Sequence, residues 1–576
     1  MCIMRYIKLI LFLVGFCAFT NVWAQLSTNE KPVSFGREAE LHVSRISAKP
    51  SVIMPQLDVT KLNKEDIEDE EYDVPPRFGY PHRVNYDLNN SGVWYELSNG
   101  DKLWQLNVVC PNALSINFCY DKFWIPEGGK LFVYSKDKKG TIGAFTSKNN
   151  KGDREHIRGF ATGLVYGSDV VLEYYQPQKV SKGAIISIEY VVHGYKYINI
   201  GTKSLGDAAD CMVNINCEEG QNWQNEKKAV SLILVKGYRY CTGSLINTTD
   251  LTQKPYLLTA DHCLGGWAND DIKYDAETSP NIDHYSFYWN YEAPGCLPNS
   301  VEPNYYSTHG ATIIANNAYS DFALLRLSED PKNLASYIPY YLGWDRTGLS
   351  GDSAVCIHHP KGDTKKISTT DGQPFSSYWV SQGTDGDSHW KVGWALTLNG
   401  HGMTQGGSSG SPLINNVHRV IGQLHGSNCN NCNNPNGKSF YGKFDVSWTG
   451  NNNNSIFRRL NCWIDSLNTS VQTMEGLLVI PGTSTMNTDR RLYSNIRITS
   501  TGQLSVQSDI ELMGNSQIIV ESGGELVIDG GTLSNVELVL KSGATLRILN
   551  DGILETKKGL KTPVGAIVDV RRGIIL

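Results

Sequence analysis

Near its C-terminal end the sequence repeats itself. Ser500-Thr501-Gly502-Gln503-Leu504-Ser505-Val506 returns as Ser522-Gly523-Gly524-Glu525-Leu526-Val527-Ile528, and again as Ser542-Gly543-Ala544-Thr545-Leu546-Arg547-Ile548, at offsets of 22 and 20 residues. A glycine turn followed by a short alternating strand is too small a unit to bury its own apolar face, but stacking each unit on the next buries it. The tail, 471–576, is therefore expected to be a parallel β-solenoid, with a small β-sandwich as the alternative. The period stops there, so the rest of this 576-residue chain, too long for one core, must fold differently.

With 40% hydrophobic and 19% charged residues the remainder is globular rather than disordered. The net charge of -6 and the lack of a basic stripe argue against a nucleic-acid partner. At the N-terminus Arg5 and Lys8 precede an apolar run, Leu9 to Phe19, and Val22-Trp23-Ala24 suits a small-residue cleavage site. Residues 1–24 thus read as a secretory signal, and no later segment is apolar enough to span a bilayer. Residues 25–75 are polar and include the run Lys64-Glu65-Asp66-Ile67-Glu68-Asp69-Glu70-Glu71, expected to be an exposed lead-in. From 76 to 200, short alternating runs such as Trp104–Val109, Leu131–Tyr134 and Asp169–Tyr175 are parted by turns such as Pro126-Glu127-Gly128-Gly129, the pattern of a β-sandwich. Residues 201–210 read as a linker. From Cys211 to about 470 the strands continue with long polar loops, a length that suits one double β-barrel. Ser455 to Ile464 has helical spacing and is expected to close it as a terminal helix. Of thirteen cysteines, Cys2 and Cys17 would leave with the signal. Export makes disulfides the default for the rest. Cys110 and Cys119 are close enough to staple a hairpin, and Cys356, in an apolar strand, is the candidate free thiol.

Three segments carry chemistry. Gly407-Ser408-Ser409-Gly410-Ser411-Pro412 suits an exposed nucleophile with backbone N–H groups beside it. Leu258-Thr259-Ala260-Asp261-His262-Cys263 offers a base, and Ser320-Asp321-Phe322-Ala323-Leu324-Leu325 a carboxylate. A serine hydroxyl is a weak nucleophile without an adjacent base. In the order His, Asp, Ser, His262 would take the proton of Ser409, Asp321 would orient the imidazole, and the N–H groups of Gly407 and Ser409 would form an oxyanion hole. Cys263 can bridge back to Cys241 and staple the histidine loop to a neighbouring strand.

With Tyr240-Cys241-Thr242-Gly243-Ser244-Leu245, these motifs resemble the trypsin/chymotrypsin superfamily. Tyr288-Trp289-Asn290-Tyr291, Gly343-Trp344-Asp345-Arg346, Ile357-His358-His359-Pro360, Gly422-Gln423-Leu424-His425-Gly426 and Ser447-Trp448-Thr449-Gly450 are similar to its bacterial lysyl endopeptidase branch, over roughly 206–465. The resemblance implies a chymotrypsin-like double β-barrel at 206–470, disulfides Cys241–Cys263 and Cys217–Cys296, and a third from Cys211 to Cys429 or Cys432. It places His425 beside the substrate cleft and matches Trp379 to a stacking tryptophan. It also casts 25–205 as a pro-region, with Phe123–Gly128 carrying the likeness, to be cleaved near Lys203 to Gly206. Two departures bear on selectivity and activation. The acid that precedes the nucleophile in trypsin is Ser408 here. The positions of the specificity acid are Met403 by the trypsin pattern and Ser439 by the lysyl pattern, so lysine selectivity would need Asp385 or Asp387 to reach in, and Lys438 would suit an acidic or polar side chain instead.

The expectation is an all-β secreted bacterial serine endopeptidase, extracellular, periplasmic or surface-associated, made as a monomeric zymogen. It would act on proteins or peptides, with no cofactor and no metal, the Cys429/Cys432 pair lacking the partners a zinc site needs. The alternative is an inactive surface adhesin on the same scaffold.

Overall fold

A computed structural model describes residues 30–36, 51–71, 74–180, 182–196, 208–267, 272–297, 303–334, 337–379, 387–428, 432 and 437–576. The expected signal (1–24), most of the linker with its cleavage point, Cys429 and Asp385 lie outside them.

The alternating runs of the N-terminal third form two sheets. One orders Ser51–Ile53, Lys102–Val109, Asp169–Gln176, Lys130–Ser135 and Thr141–Phe145, with Val93–Glu96 on the flank. The other orders Gly79–Asp87, Ile185–Gly194, Ser115–Trp124 and Phe160–Ala161, with Val165–Tyr166 paired to Ser115–Trp124. Leu106, Val108, Ile116, Phe118, Val133 and Leu172 fill the space between. This sandwich corrects one expectation. Cys110 follows a strand of the first sheet and Cys119 sits on a strand of the second, so the chain between them changes sheets rather than making a hairpin. Cys110 faces the sandwich core, whereas Cys119 faces the neighbouring barrel, its Sγ near Gly237. Both are free, buried thiols, and burial pushes Cys110 up to about 12.

The next unit contains a closed barrel of Val230–Val235, Arg239–Leu245, Tyr256–Thr259, Phe322–Leu327, Tyr306–Asn317 and Asn281–Trp289. A ten-stranded sheet beside it includes Ala354–His358, Pro412–Asn415, Arg419–Ser427, Ser439–Lys443 and His389–Val392. Three disulfides join distant parts: Cys241–Cys263, Cys217–Cys296 and Cys211–Cys432, the last closing 221 residues of chain. The terminal helix expected over 455–464 is instead a 3-10 turn at Ile456–Arg458 and one α-turn at Asn461–Ile464. Arg459 between them is extended, with φ -148° and ψ 150°.

The tail is a parallel solenoid. Gln503 pairs with Glu525 and Glu525 with Thr545, so Leu504, Leu526 and Leu546 stack at the 22- and 20-residue offsets of the repeat. Gly523, Gly543 and Gly565 turn the chain at φ +87°, +81° and +87°, where an L side chain is strained. The first coil is not separate from the barrel unit. Tyr340 and Tyr341 pair with Leu478 and Leu477, Trp344 pairs with Met474, and one apolar core runs continuously from Leu245 through Trp344 to Leu546.

The acidic run is exposed on one side only, where Lys64, Ile67, Glu68 and Glu70 face solvent, and packed on the other. It lies on the helix Val59–Glu71, begun by Asp58 accepting from the Lys61 N–H at 3.0 Å. Asp66 is buried and accepts from Arg77 at 2.9 Å, and Asp69 meets Arg239 of the barrel at 2.8 Å. Carboxylates that look solvated in sequence are here neutralised by arginines brought from elsewhere. Among the described residues no helix is long and apolar enough to cross a membrane.

Candidate active site

His262 stands on a 3-10 turn, Asp261–Leu264, at the end of the barrel strand Tyr256–Thr259. The turn is fixed from three sides. Cys263 is bridged to Cys241, and the Asp261 side chain accepts from Asn316 at 2.7 Å and from Lys273 at 2.9 Å. Asp321 enters the site from the reversal before Phe322–Leu327, with φ +54°, a backbone state that aspartate tolerates better than most residues. Its carboxylate, 1% exposed, accepts the His262 backbone N–H at 2.9 Å and faces His262 Nδ1 at 2.8 Å. Burial opposes its charge, yet His262, His425 and the hydrogen bonds from His262 hold it down at about 2. An ionised carboxylate only accepts, so Nδ1 carries the proton and Nε2 is left as the acceptor.

The Ser409 turn is laced to this loop. The Ser409 carbonyl accepts from Thr242 N–H at 2.8 Å and lies 4.0 Å from Cys263 Sγ. Glycine is required on both sides. A Cβ on Gly407, at φ +95°, would meet the Tyr240 ring at 2.7 Å, and one on Gly410, at φ +81°, would meet Thr259 Oγ1 at 2.2 Å. Within the turn, the N–H groups of Ser408, Gly410 and Ser411 bond to the carbonyls of Gln405, Leu424 and Ser408. Among the described residues no such bond uses the N–H of Gly407 or Ser409. Ser408, fully buried, occupies the place of trypsin's acid and is anchored differently: its Oγ lies 2.7 Å from His358 Nδ1, His358 Nε2 lies 3.1 Å from Ser368 Oγ, and Ser368 donates to the Met403 carbonyl at 2.9 Å. Burial, aided by Lys366, pushes His358 down to about 3, so this strut is neutral.

His425 stacks on Trp379 with ring centroids 4.4 Å apart, and His389 Nε2 meets its Nδ1 at 3.0 Å. Burial pushes His425 down to about 4, against the pull of Asp321, and His389 to about 3. At neutral pH the 3.9 Å approach of His425 to Asp321 is therefore a dipole beside a charge, not an ion pair. His389 had no sequence signal: it lies 36 residues from His425, a distance no spacing rule connects. His262, Asp321 and His425 are the one described cluster whose donor atoms, all within 4.8 Å of one another, could meet at a cation, but Nδ1 of His262 is already engaged by Asp321.

The specificity positions lie deeper. Met403 is fully buried among Ala354, Leu413 and Tyr441, and Ser439 sits in a cluster of hydroxyls. Lys438 meets Asp371 at 3.3 Å, and Asp387 is exposed and near Lys443. Cys356 is a free, buried thiol, pushed up to about 12 by burial.

The cleft has a cover that the sequence did not announce. Glu70, Val74 and Pro76 wall the same cavity as Thr404, Ser409, His425 and Ser427. Tyr240 N–H donates to the Pro76 carbonyl at 3.1 Å, Arg239 donates to the Pro75 carbonyl at 2.7 Å, and Lys361 is ion-paired with Glu70. Gly406 has no side chain where Pro76 packs, a Cβ there coming within 2.6 Å.

Residues 205–442 match the family described as lysyl endopeptidase, C-terminal domain. Among curated proteins, a secreted RxLR effector protein of Plasmopara viticola is 26% identical over 275 residues, 46% of this chain and 61% of that protein. The lysyl endopeptidase of Pseudomonas aeruginosa is 27% identical over 198 residues, 33% of this chain and 37% of that protein. The chain thus spans less than two thirds of either relative. Among solved structures, the serine endoprotease from Yersinia pestis aligns with 39% of this chain and 62% of its own at 14% identity and a TM-score of 0.24. The Rv3671c protease in its inactive form aligns with 39% and 88% at 15% identity and the same score. The stretch 205–442 is lysyl endopeptidase-like.

Proposed function

We propose, from this lysyl endopeptidase-like stretch, that the chain is a secreted serine endopeptidase made as a zymogen. Ser409 Oγ attacks the scissile carbonyl while its proton passes to Nε2 of His262. Asp321 keeps the imidazole in the tautomer that can accept that proton and stabilises the imidazolium that results. The N–H groups of Gly407 and Ser409 receive the oxyanion. The imidazolium then protonates the departing amine, leaving an ester on Ser409. Water, deprotonated by His262, attacks that ester and restores the serine. The observation that carries this reading is the 2.8 Å contact from His262 Nδ1 to a buried, ionised Asp321, on a loop laced to the Ser409 turn.

The zymogen part is supported by the cover. It belongs to the sandwich side of the chain, is anchored at Arg239, Tyr240 and Lys361, and shares a cavity wall with Ser409. A processed product would have to release residues 70–78 to admit a peptide. The sandwich is held by Phe78, Ala161 and Leu164 against Leu232, Tyr240 and Tyr288, and by Arg158 on Asp283 at 2.7 Å, so it would act as a folding partner before release. The disulfides suit an oxidising compartment.

The experiment is hydrolysis of a denatured protein by the processed chain and by its Ser409→Ala and His262→Ala variants. Loss of hydrolysis in both supports the reading. Undiminished hydrolysis in either, or none by the unaltered processed chain, overturns it, the latter in favour of a binding protein.

A further inference from the structure

We propose that the pocket beside Ser409 receives a small uncharged side chain before the scissile bond, such as valine, alanine, threonine or serine, and not lysine. The inference rests on the endopeptidase reading above and names its substrate class.

The enzyme-side wall carries one charged side chain, Lys361, which is ion-paired with Glu70 of the cover, and is otherwise neutral, with Thr404, Gln405, Leu424, Gly426 and Ser427. Behind them Ser439 Oγ lies 2.6 Å from Thr404 Oγ1 and 3.2 Å from Ser427 Oγ, and it accepts from Trp394 Nε1 at 2.9 Å. Thr404 and Ser439 are both fully buried. The floor is thus a set of neutral groups that satisfy one another. An ammonium pushed onto it would trade water for hydroxyls with no counter-charge, which is costly.

The charges nearby do not change this. Met403 packs in an apolar core, and its position supplies no acid. Lys438 lies just before the strand Ser439–Lys443, and its side chain meets Asp371 at the surface at 3.3 Å. That pairing also removes the ground for an acidic side chain at Lys438. Among the described residues the one carboxylate on the cavity wall is Glu70, which belongs to the cover and is paired with Lys361.

The cover itself shows what suits the mouth of this pocket. The peptide the fold lays across the cleft is Val74-Pro75-Pro76, and Val74, 8% exposed, walls the cavity with Ser427 and Thr404. A β-branched side chain thus shares the wall of this cavity, whose volume is about 70 Å³.

The test is a peptide library varied at the residue before the scissile bond, read on the full chain after its own processing, with fluorophosphonate labelling of the same samples as reference. We expect kcat/KM for valine, alanine, threonine or serine to exceed that for lysine by at least about 100-fold. Ser439→Asp should raise the lysine-to-valine ratio at least about tenfold while labelling persists. Because a carboxylate at that buried position can unfold the sheet, Ser427→Asp, at a half-buried position on the same cluster, is the second variant. Labelled enzyme that cleaves best after lysine or glutamate overturns this inference and leaves the endopeptidase reading standing. A processed chain that is never labelled overturns both.

Discussion

Breaking one ion pair should uncover Ser409 in the unprocessed chain. Arg239 is 5% exposed and Asp69 14%, their charged atoms 2.8 Å apart. The same guanidinium donates to the Pro75 carbonyl and lies 4.9 Å over the Trp267 ring, so it cannot turn to water while the cover is docked. In Asp69→Ala the docked state holds a guanidinium stripped of its counter-charge. Removing one partner of a buried pair costs about 3–5 kcal/mol, and the partial contact of Asp69 with water reduces that to about 2–3 kcal/mol. The open state carries none of this cost, because Arg239 then meets solvent. The balance between docked and open therefore shifts by about 30- to 150-fold. The assay is the rate of fluorophosphonate labelling of the unprocessed chain, which follows the open population when the cover is mostly closed. Lys61→Ala is the control: Lys61 is 74% exposed in an i,i+4 pair with Glu65 at 3.9 Å, and its loss should leave the rate within about twofold. Labelling of Asp69→Ala at the unaltered rate would show that the helix does not hold the cleft shut.

The other predictions follow from single contacts. Asp321→Asn should lower turnover about 10⁴-fold with the fold intact, measured by kcat and by thermal melting, because the amide can favour the wrong imidazole tautomer. His358, His389 and His425 are held neutral in the fold, at about 3, 3 and 4, whereas an unfolded histidine titrates near 6.5. The unfolded chain therefore binds protons first as acid is added, and stability falls as pH drops from about 6.5 towards 4. Melting curves across that window should show a shallower decline in His389→Asn than in the unaltered chain. Arg419→Ala should destabilise the junction of barrel and solenoid by about 3 kcal/mol, read by denaturant unfolding, because Glu475, 4% exposed, loses its partner. Deleting 471–576 should reduce soluble yield, since Tyr340, Tyr341 and Trp344 would lose the core they share with Leu477 and Leu478.

What could be read in the sequence was what is local or ordered along the chain. The 20- and 22-residue repeat passes directly into register, Leu504 on Leu526 on Leu546, because a solenoid coil contacts only its neighbours. The segments carrying His262 and Asp321 meet, the Ser409 carbonyl is bonded to Thr242 of the neighbouring barrel strand, and glycine stands at 407 and 410 where Tyr240 and Thr259 crowd the backbone. What could not be read depends on partners distant in sequence. The acidic run looked solvated because Arg239 lies 170 residues from Asp69. Cys110 and Cys119 looked like a staple because sequence does not mark where a chain changes sheets. Cys211 had two equivalent candidates in the sequence, and it is Cys432 that it is bridged to. His389 met His425, and His358 met Ser408, through folded geometry that no motif spacing encodes.

The most direct measurement is the site of covalent modification. The processed chain is treated with a fluorophosphonate and digested, and the adduct is located by mass spectrometry. The account predicts a single adduct on Ser409, absent in Ser409→Ala and formed far more slowly in His262→Ala. An adduct on another serine, or labelling that survives Ser409→Ala, would contradict it.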